Sequence, residues 1–322
     1  MKKKLAVILA LGAFYAFALS SKAVTESCRQ ALTLCAELII PSLFPFFVLS
    51  VLLGKIGFPA HISKALAPFA EKLFNVSGAG ASALIIGLTG GYPMGAAYIA
   101  QMLKSGSISP KEGEQLLAFC NNSGPAFIIG AVGAGVFSSS SVGLFLYAVH
   151  IAAAICTGVL VRFFIPKSDR QEQKAAQFEA IPFPNALADS VRTGVLNVLT
   201  VCGFVSFFFV LTALFDANGM LSTAVGYISA KTHLELHFVR ALIVGAFELG
   251  GGIAAMRGLA DTPINLALAA FMVGFGGLSV HFQTRAVLTE SGAKGGLHFA
   301  GRLISASFAA LFAYFLCPLV LG

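Results

Sequence analysis

The sequence predicts an all-α integral membrane protein: an inverted structural repeat with two re-entrant helical hairpins and two broken transmembrane helices. Three observations carry that prediction. First, the 322-residue chain is 57% hydrophobic and 11% charged, with a mean hydropathy of +0.86. Soluble domains carry about 25% charged residues, so this chain has too little polar surface to face water. Its apolar stretches run on for about 20 residues without alternating, which favours helices over a barrel. Second, a glycine-rich break interrupts an apolar run in each half. Leu84-Ile85-Ile86-Gly87 leads into Gly90-Gly91-Tyr92-Pro93, and Leu242-Ile243-Val244-Gly245 leads into Glu248-Leu249-Gly250-Gly251-Gly252. Third, the basic residues are unevenly shared between the two ends of the spans.

The elements follow in order. Lys2-Lys3-Lys4 and the apolar run to Leu19 predict a retained first helix over about 5–20, because Lys22 falls where a signal-peptide cleavage site needs small residues. A second helix is expected over 28–53, bent where Pro41 and Pro45 remove backbone donors. Residues 58–75, with Lys64 and Lys72 among apolar side chains, read as an interfacial helix. The first hairpin covers 79–103. Ser109-Pro110-x-Glu112 opens the first broken helix, 110–137, with an N-cap, a proline at N1 and a capping-box glutamate. That helix breaks at Asn121-Asn122-Ser123-Gly124-Pro125, and a span over 142–165 closes the first repeat, 1–165.

A charged, proline-containing stretch, 166–185, reads as a cytoplasmic linker, and the second repeat, 186–322, has the same plan. It comprises a helix over 187–215, an interfacial stretch over 219–235, a hairpin over 238–257, a broken helix over 262–283 and a final helix over 301–321. Thr262-Pro263 opens its broken helix, and Gly274-Phe275-Gly276-Gly277 breaks it. The repeat extends beyond the breaks: Phe46-Phe47-Val48-Leu49-Ser50 matches Phe208-Phe209-Val210-Leu211-Thr212, Gly57 matches Gly219, and Ala118-Phe119 matches Ala270-Phe271.

Charge sets the orientation. With a cytoplasmic N-terminus and hairpins that return to their own side, only Lys22, Arg29, Lys231, Arg240 and Arg257 of the 21 Lys and Arg residues fall outside. The others, Lys104, Arg285, Lys294 and Arg302 among them, fall inside, as the positive-inside rule requires. The repeat is then inverted, with the hairpins entering from opposite faces. The expected place is a bacterial cytoplasmic membrane, crossed several times. The same distribution accounts for the net charge of +7 without nucleic acid, since no aromatic-interleaved basic stripe exists.

Paired broken segments in the two halves of a membrane protein point to a substrate site near the midplane. Backbone groups freed by a break cannot face hydrocarbon, so they line a cavity or meet a ligand, unless the glycines serve only close helix packing. Pro93 and Pro125 are placed to begin half-helices whose N-termini suit an anion. Thr89, Gly90, Gly91 and Tyr92 form the first hairpin tip. Asn121, Asn122 and Ser123 make the densest polar cluster inside an apolar span, suited to a polar substrate, to Na⁺ or to interhelical hydrogen bonds. Glu248, at the second tip, is an intramembrane acid that could bind a substrate donor, carry a coupling proton or cap its own glycine loop. Gly276 and Ser279 belong to the second break, with His281 and Gln283 just beyond. Candidates for ion coupling are Asn121, Ser123 and Glu248.

The six cysteines show no C-x-x-C pair and read as small buried hydrophobes, so no metal site is expected. No P-loop, H-E-x-x-H or G-x-S-x-G is present, so no enzyme is expected, and transport would be passive or driven by an ion gradient.

Gly87-Leu-Thr-Gly-Gly-Tyr-Pro-Met-Gly95, Glu114-Gln-Leu-Leu-Ala-Phe-Cys-Asn-Asn-Ser-Gly-Pro125 and Ile128-Ile129-Gly130-Ala131-Val132-Gly133 resemble the YlbJ family of sporulation integral membrane proteins, across nearly the whole chain. That family carries the nucleoside-recognition, or Gate, domain, itself similar to the concentrative nucleoside transporter core. The resemblance implies two opposed hairpins and two broken helices around substrate and a coupling ion. By it the site would be Thr89 to Tyr92, Asn121 to Ser123, Glu248 and Gly276 to Ser279. It also implies movement of dipicolinic acid into the developing spore.

The expectation is therefore a secondary transporter for a small polar or anionic organic solute, dipicolinate-like or nucleoside-like, in the cytoplasmic or forespore membrane. It would need no cofactor beyond Na⁺ or H⁺ as coupling ion. Its partners would be the substrate, the lipid bilayer and further copies of itself in a dimer or trimer, and no nucleic acid. The alternative is a non-transporting subunit that scaffolds a sporulation or envelope complex, and a passive channel would not need two occluding hairpins.

Overall fold

The computed structural model describes residues 2–165, 182–289 and 291–320, and all regular structure among them is helical. Most of the expected linker, 166–181, lies outside the described residues. The first half comprises α1 (Lys2–Leu19), α2 (Ser21–Leu34), α3 (Ile40–Lys55), α4 (Phe58–Phe74), α5 (Gly78–Gly90), α6 (Met94–Lys104), α7 (Pro110–Phe119) and α8 (Ser140–Val161). The second comprises α9 (Phe183–Ala217), α10 (Met220–Thr232), α11 (Leu236–Phe247), α12 (Leu249–Ala254), α13 (Pro263–Phe275), α14 (Gly277–Leu288) and α15 (Gly296–Val320).

Among the described residues, five helices are long and apolar enough to span a bilayer: Ser21–Lys55, Ser140–Val161, Phe183–Ala217, Pro263–Leu288 and Gly296–Val320. Their outward faces are oily, with Leu199, Phe207, Leu311 and Phe315 exposed. In water this would be costly; against lipid tails it costs nothing.

The second helix differs from expectation. It starts at Ser21 and runs to Lys55 as one span, with no sharp bend at the prolines. A π turn, Cys35–Ile39, takes up the irregularity just before Pro41, and the Ile40 amide reaches back to the Cys35 carbonyl. One extra residue in the turn absorbs the missing donor. The half-helix after the first break, Ala126–Ala134, is wound as a π-helix too.

The two halves share their corners. α4 follows left-handed Gly57 (φ +83°) and ends at left-handed Asn75; α10 follows left-handed Gly219 (φ +69°) and ends at left-handed His233. A long helix turning into a shorter one through a left-handed residue favours glycine there, which explains why glycine recurs at both corners. Ser109 Oγ accepts the Glu112 amide at 3.1 Å to start α7, and Thr262 Oγ1 accepts the Asn265 amide at 3.4 Å to start α13. These are matching N-caps.

Each hairpin is seated on the break of its own half. A methyl group at Gly87 would stand 1.6 Å from the Cys120 carbonyl oxygen, and one at Gly95 would stand 2.2 Å from it. In the second half, a Cβ on Gly252 would lie 2.3 Å from the Gly245 Cα, and one on Gly277 2.6 Å from the Gly245 oxygen. Glycine lets hairpin arms and break pack backbone to backbone. α15 crosses α7 just as closely, a Gly301 Cβ falling 2.3 Å from the Ala118 oxygen. That crossing places the next residue, Arg302, directly behind the first break.

Candidate substrate site at the hairpin tips

Both hairpin tips, the first break and the half-helix that follows the second break meet around one cavity. The first hairpin tip contributes Tyr92, the first break Ser123 and Gly124, the second tip Glu248 to Gly250, and α14 Val280 and Gln283. The π turn, α3 and α9 close it with Ile39, Leu43, Val201 and Val205. It is narrow, with about 480 Å³ of empty space including its mouth. Apolar walls with a few convergent polar groups are the usual composition of a small-molecule site.

Glu248 ends α11 in extended backbone and caps α12. Its two carboxylate oxygens accept the Gly250 amide at 2.9 Å and the Gly251 amide at 2.5 Å. The side chain is 3% exposed. Capping and a place in the cavity wall therefore coexist in one residue.

Tyr92 and Ser123 also line the cavity, but Asn121 and Asn122 stand one layer behind it. Asn121 Oδ1 accepts the Ala96 amide at 3.3 Å, which fixes the orientation of its side-chain amide. Its Nδ2 then donates to Thr284 Oγ1 at 2.8 Å and to His298 Nε2 at 3.1 Å. With Nε2 accepting, His298 carries its proton on Nδ1 and donates it to His281 Nδ1 at 3.2 Å. Asn122 Nδ2 donates to the Phe119 carbonyl at 2.8 Å. The Ser123 amide donates to His150 Nε2 at 3.1 Å.

The other expected site residues divide. Gly91 packs on Gly124, bringing the first tip onto the first break. Gly90 is buried behind the tip against Ser50 and Met94. Gly276 is the left-handed corner of the second break and faces the Tyr92 ring. Ser279 is fully buried and accepts from Gln283 Nε2 at 3.1 Å. Thr89 does not join them: it is exposed and its hydroxyl turns back to the Ile85 carbonyl at 2.8 Å.

The sequence reading missed the buried cation that ties this cluster together. Arg302 is 0% exposed. Its Nη1 donates to the Asn121 carbonyl at 2.6 Å, Asn122 Oδ1 at 2.9 Å and the Tyr92 hydroxyl oxygen at 3.1 Å. Tyr92 Oη in turn lies 3.2 and 3.3 Å from the Val273 and Gly274 carbonyls, at the end of α13. Arg302 Nε and Nη2 are buried without a partner. Arg302 is not at the start of its helix, the expected position, because α15 begins at Gly296 rather than 301, and its side chain is buried rather than exposed at an end. It is the only charged residue in α15, and an isolated charge in an apolar helix was the signal that could have found it.

Comparison with known proteins agrees with this architecture. The inward-facing, substrate-bound structure of the concentrative nucleoside transporter CNTnw superposes with a TM-score of 0.55, at 16% identity, over 97% of this chain and 85% of that one. A substituted form in an intermediate state gives 0.52 at 18% identity, and a doubly substituted, outward-facing form gives 0.51 at 16%. The fold is thus the inverted-repeat membrane fold of that transporter class. No family model matches the chain. It is 30% identical over 319 residues to the sporulation integral membrane protein YlbJ of Bacillus subtilis (strain 168), covering 89% of this chain and 76% of that protein. The chain belongs to the YlbJ family.

Proposed function

We propose that this protein is a secondary transporter that moves a small polar or anionic organic solute, of the dipicolinate-like dicarboxylate or nucleoside-like class, across the cytoplasmic or forespore membrane. One observation carries the reading: both hairpin tips, the first helix break and the half-helix that follows the second break converge on a single cavity. Interrupted helices that only packed against one another would not need to meet at one point. The transporter-like fold supports it, as does membership of a family of sporulation membrane proteins.

In this reading residues 1–165 and 186–322 are the two inverted repeats, the N-terminus and the linker are cytoplasmic, and the protein works in the bilayer as a homodimer or homotrimer. Tyr92, Ser123, Glu248 and Gln283 contact substrate, supported by Gly90, Gly91, Asn121, Asn122, Gly276 and Ser279. An ion gradient, of Na⁺ or of H⁺, drives accumulation.

The test is binding of dipicolinate, other dicarboxylates and nucleosides to purified protein, followed by uptake into proteoliposomes under opposed Na⁺ and H⁺ gradients. One class binds and accumulates, and Glu248→Gln and Ser123→Ala weaken both by about tenfold, a loss of 1.4 kcal/mol. Wild-type protein that takes up none of them, or variants that behave as wild type, would exclude this site.

A further inference from the structure

The oxygens gathered behind the first break are arranged for a cation, and the protein supplies that cation itself. The Asn121 carbonyl would be bonded in a regular helix by the amide four residues on. That residue is Pro125, which has no N–H, so the sequence leaves this oxygen free. Asn122 Oδ1 and the Tyr92 hydroxyl oxygen join it, the latter brought in by the first hairpin. All three converge on one nitrogen, Nη1 of Arg302, at 2.6, 2.9 and 3.1 Å.

This is not how a guanidinium normally pairs. Arginine offers its N–H groups as a planar fork and usually spreads its bonds across two or three nitrogens. Here the two protons of Nη1 face three oxygens, while the protons on Nε and Nη2 are buried with no acceptor. Oxygens outnumbering donors around a single atom is a coordination pattern for a point charge. No described carboxylate is among the hydrogen-bond partners of Arg302, although a buried charge is ordinarily paired. Glu248, the acid in the cavity wall, spends both oxygens on its own glycine loop.

We propose that Arg302 is a tethered cation at a position built to coordinate one, so that the site works with no Na⁺ bound at the first break. The inference rests on the cavity being the proposed transport site, and it decides between the two coupling ions at this position. Asn121 and Asn122, whose oxygens would have been ligands for Na⁺, are already engaged. A Na⁺ ion placed among these oxygens would lie about 4 Å from the guanidinium, and repulsion at that distance lowers affinity on the order of a thousandfold. The guanidinium beside the cavity favours an anion there over a cation.

The test needs no substrate, so its outcome is separate from whether any solute is transported. Thermal unfolding of the purified full-length protein is compared in NaCl, KCl and choline chloride at equal ionic strength. The wild type melts at the same temperature in all three. R302A frees the three oxygens and melts about 2 °C or more higher in NaCl than in choline chloride, through mass-action stabilisation by bound ion. R302Q, which keeps more of the packing, serves if R302A does not fold, and shows the same dependence. A Na⁺-specific rise in the wild type, or a folded R302A or R302Q that melts alike in the three salts, would overturn the proposal.

Discussion

Tyr92 joins three parts of the molecule through one oxygen. It accepts from Arg302 on α15 and lies against two free carbonyls at the end of α13, while its ring forms part of the cavity wall. Tyr92→Phe keeps the ring and removes the oxygen, leaving Val273 and Gly274 with an unpaired acceptor. The expected cost is about 1–3 kcal/mol of stability, read as a lower melting temperature with the helical content retained. Unchanged melting would show that these carbonyls find other partners. Which residues gather around the cavity was only partly legible in the sequence. Tyr92, Ser123 and Glu248 stood out because polar groups at a glycine break have few places to go. Arg302 and His298, four residues apart in α15, and His150 in α8 did not, because the sequence of a long apolar helix does not say which face turns inward, and only the isolated charge of Arg302 marked it. Thr89 misled because neighbouring residues at a helix end point in different directions.

At the scale of elements, glycines decide how the hairpins sit. Gly87→Ala would force a methyl into the Cys120 carbonyl, backbone against backbone, with no side chain free to yield. The expected loss is about 1–3 kcal/mol or failure to fold, since overpacked backbone contacts cannot relax. Gly203→Ala in α9 is the control: no atom lies within 4 Å of its added carbon, and the helix gains up to about 1 kcal/mol. Equal melting of the two variants would contradict this account of the hairpin seat. Breaks were readable because glycine and proline interrupt helical bonding in any context. The π windings at Cys35–Ile39 and Ala126–Ala134 were not, because a π turn changes the bonding register without requiring a particular residue.

At the scale of the whole molecule, the repeat is related by inversion, and that has a chemical test. Lys104 ends the first hairpin and Lys231 lies near the start of the second, both on exposed backbone corners. Cysteines placed at 104 and 231, each compared with the unsubstituted parent, are expected to react with a membrane-impermeant maleimide from opposite sides of sealed cells or vesicles. Labelling of both from one side would remove the inverted arrangement of the membrane. The relation between halves was legible because matching corners need matching residues, as at Gly57 and Gly219. Arg302 shows the limit of charge counting, which assigns a side to every basic residue and has no place for one buried inside the protein.

The two hairpins are held by different kinds of attachment. The first is fastened to its surroundings: Tyr92 to α13 and α15, the Ala96 amide to Asn121, and the Leu88 carbonyl to the Tyr147 hydroxyl on α8. The second is held by packing, Leu249 and Ile253 in the core shared with α8 and α13 and Phe247 on Phe215, and among the described residues its polar side-chain bonds are Glu248 to its own loop and Arg240 to Asp216 at its base. Lifting the first tip would sever several bonds at once, whereas the second could swing with its cap intact. The symmetry of the fold thus hides a mechanical inequality: one jaw is latched by directional bonds, and the other is held by packing, which can slide.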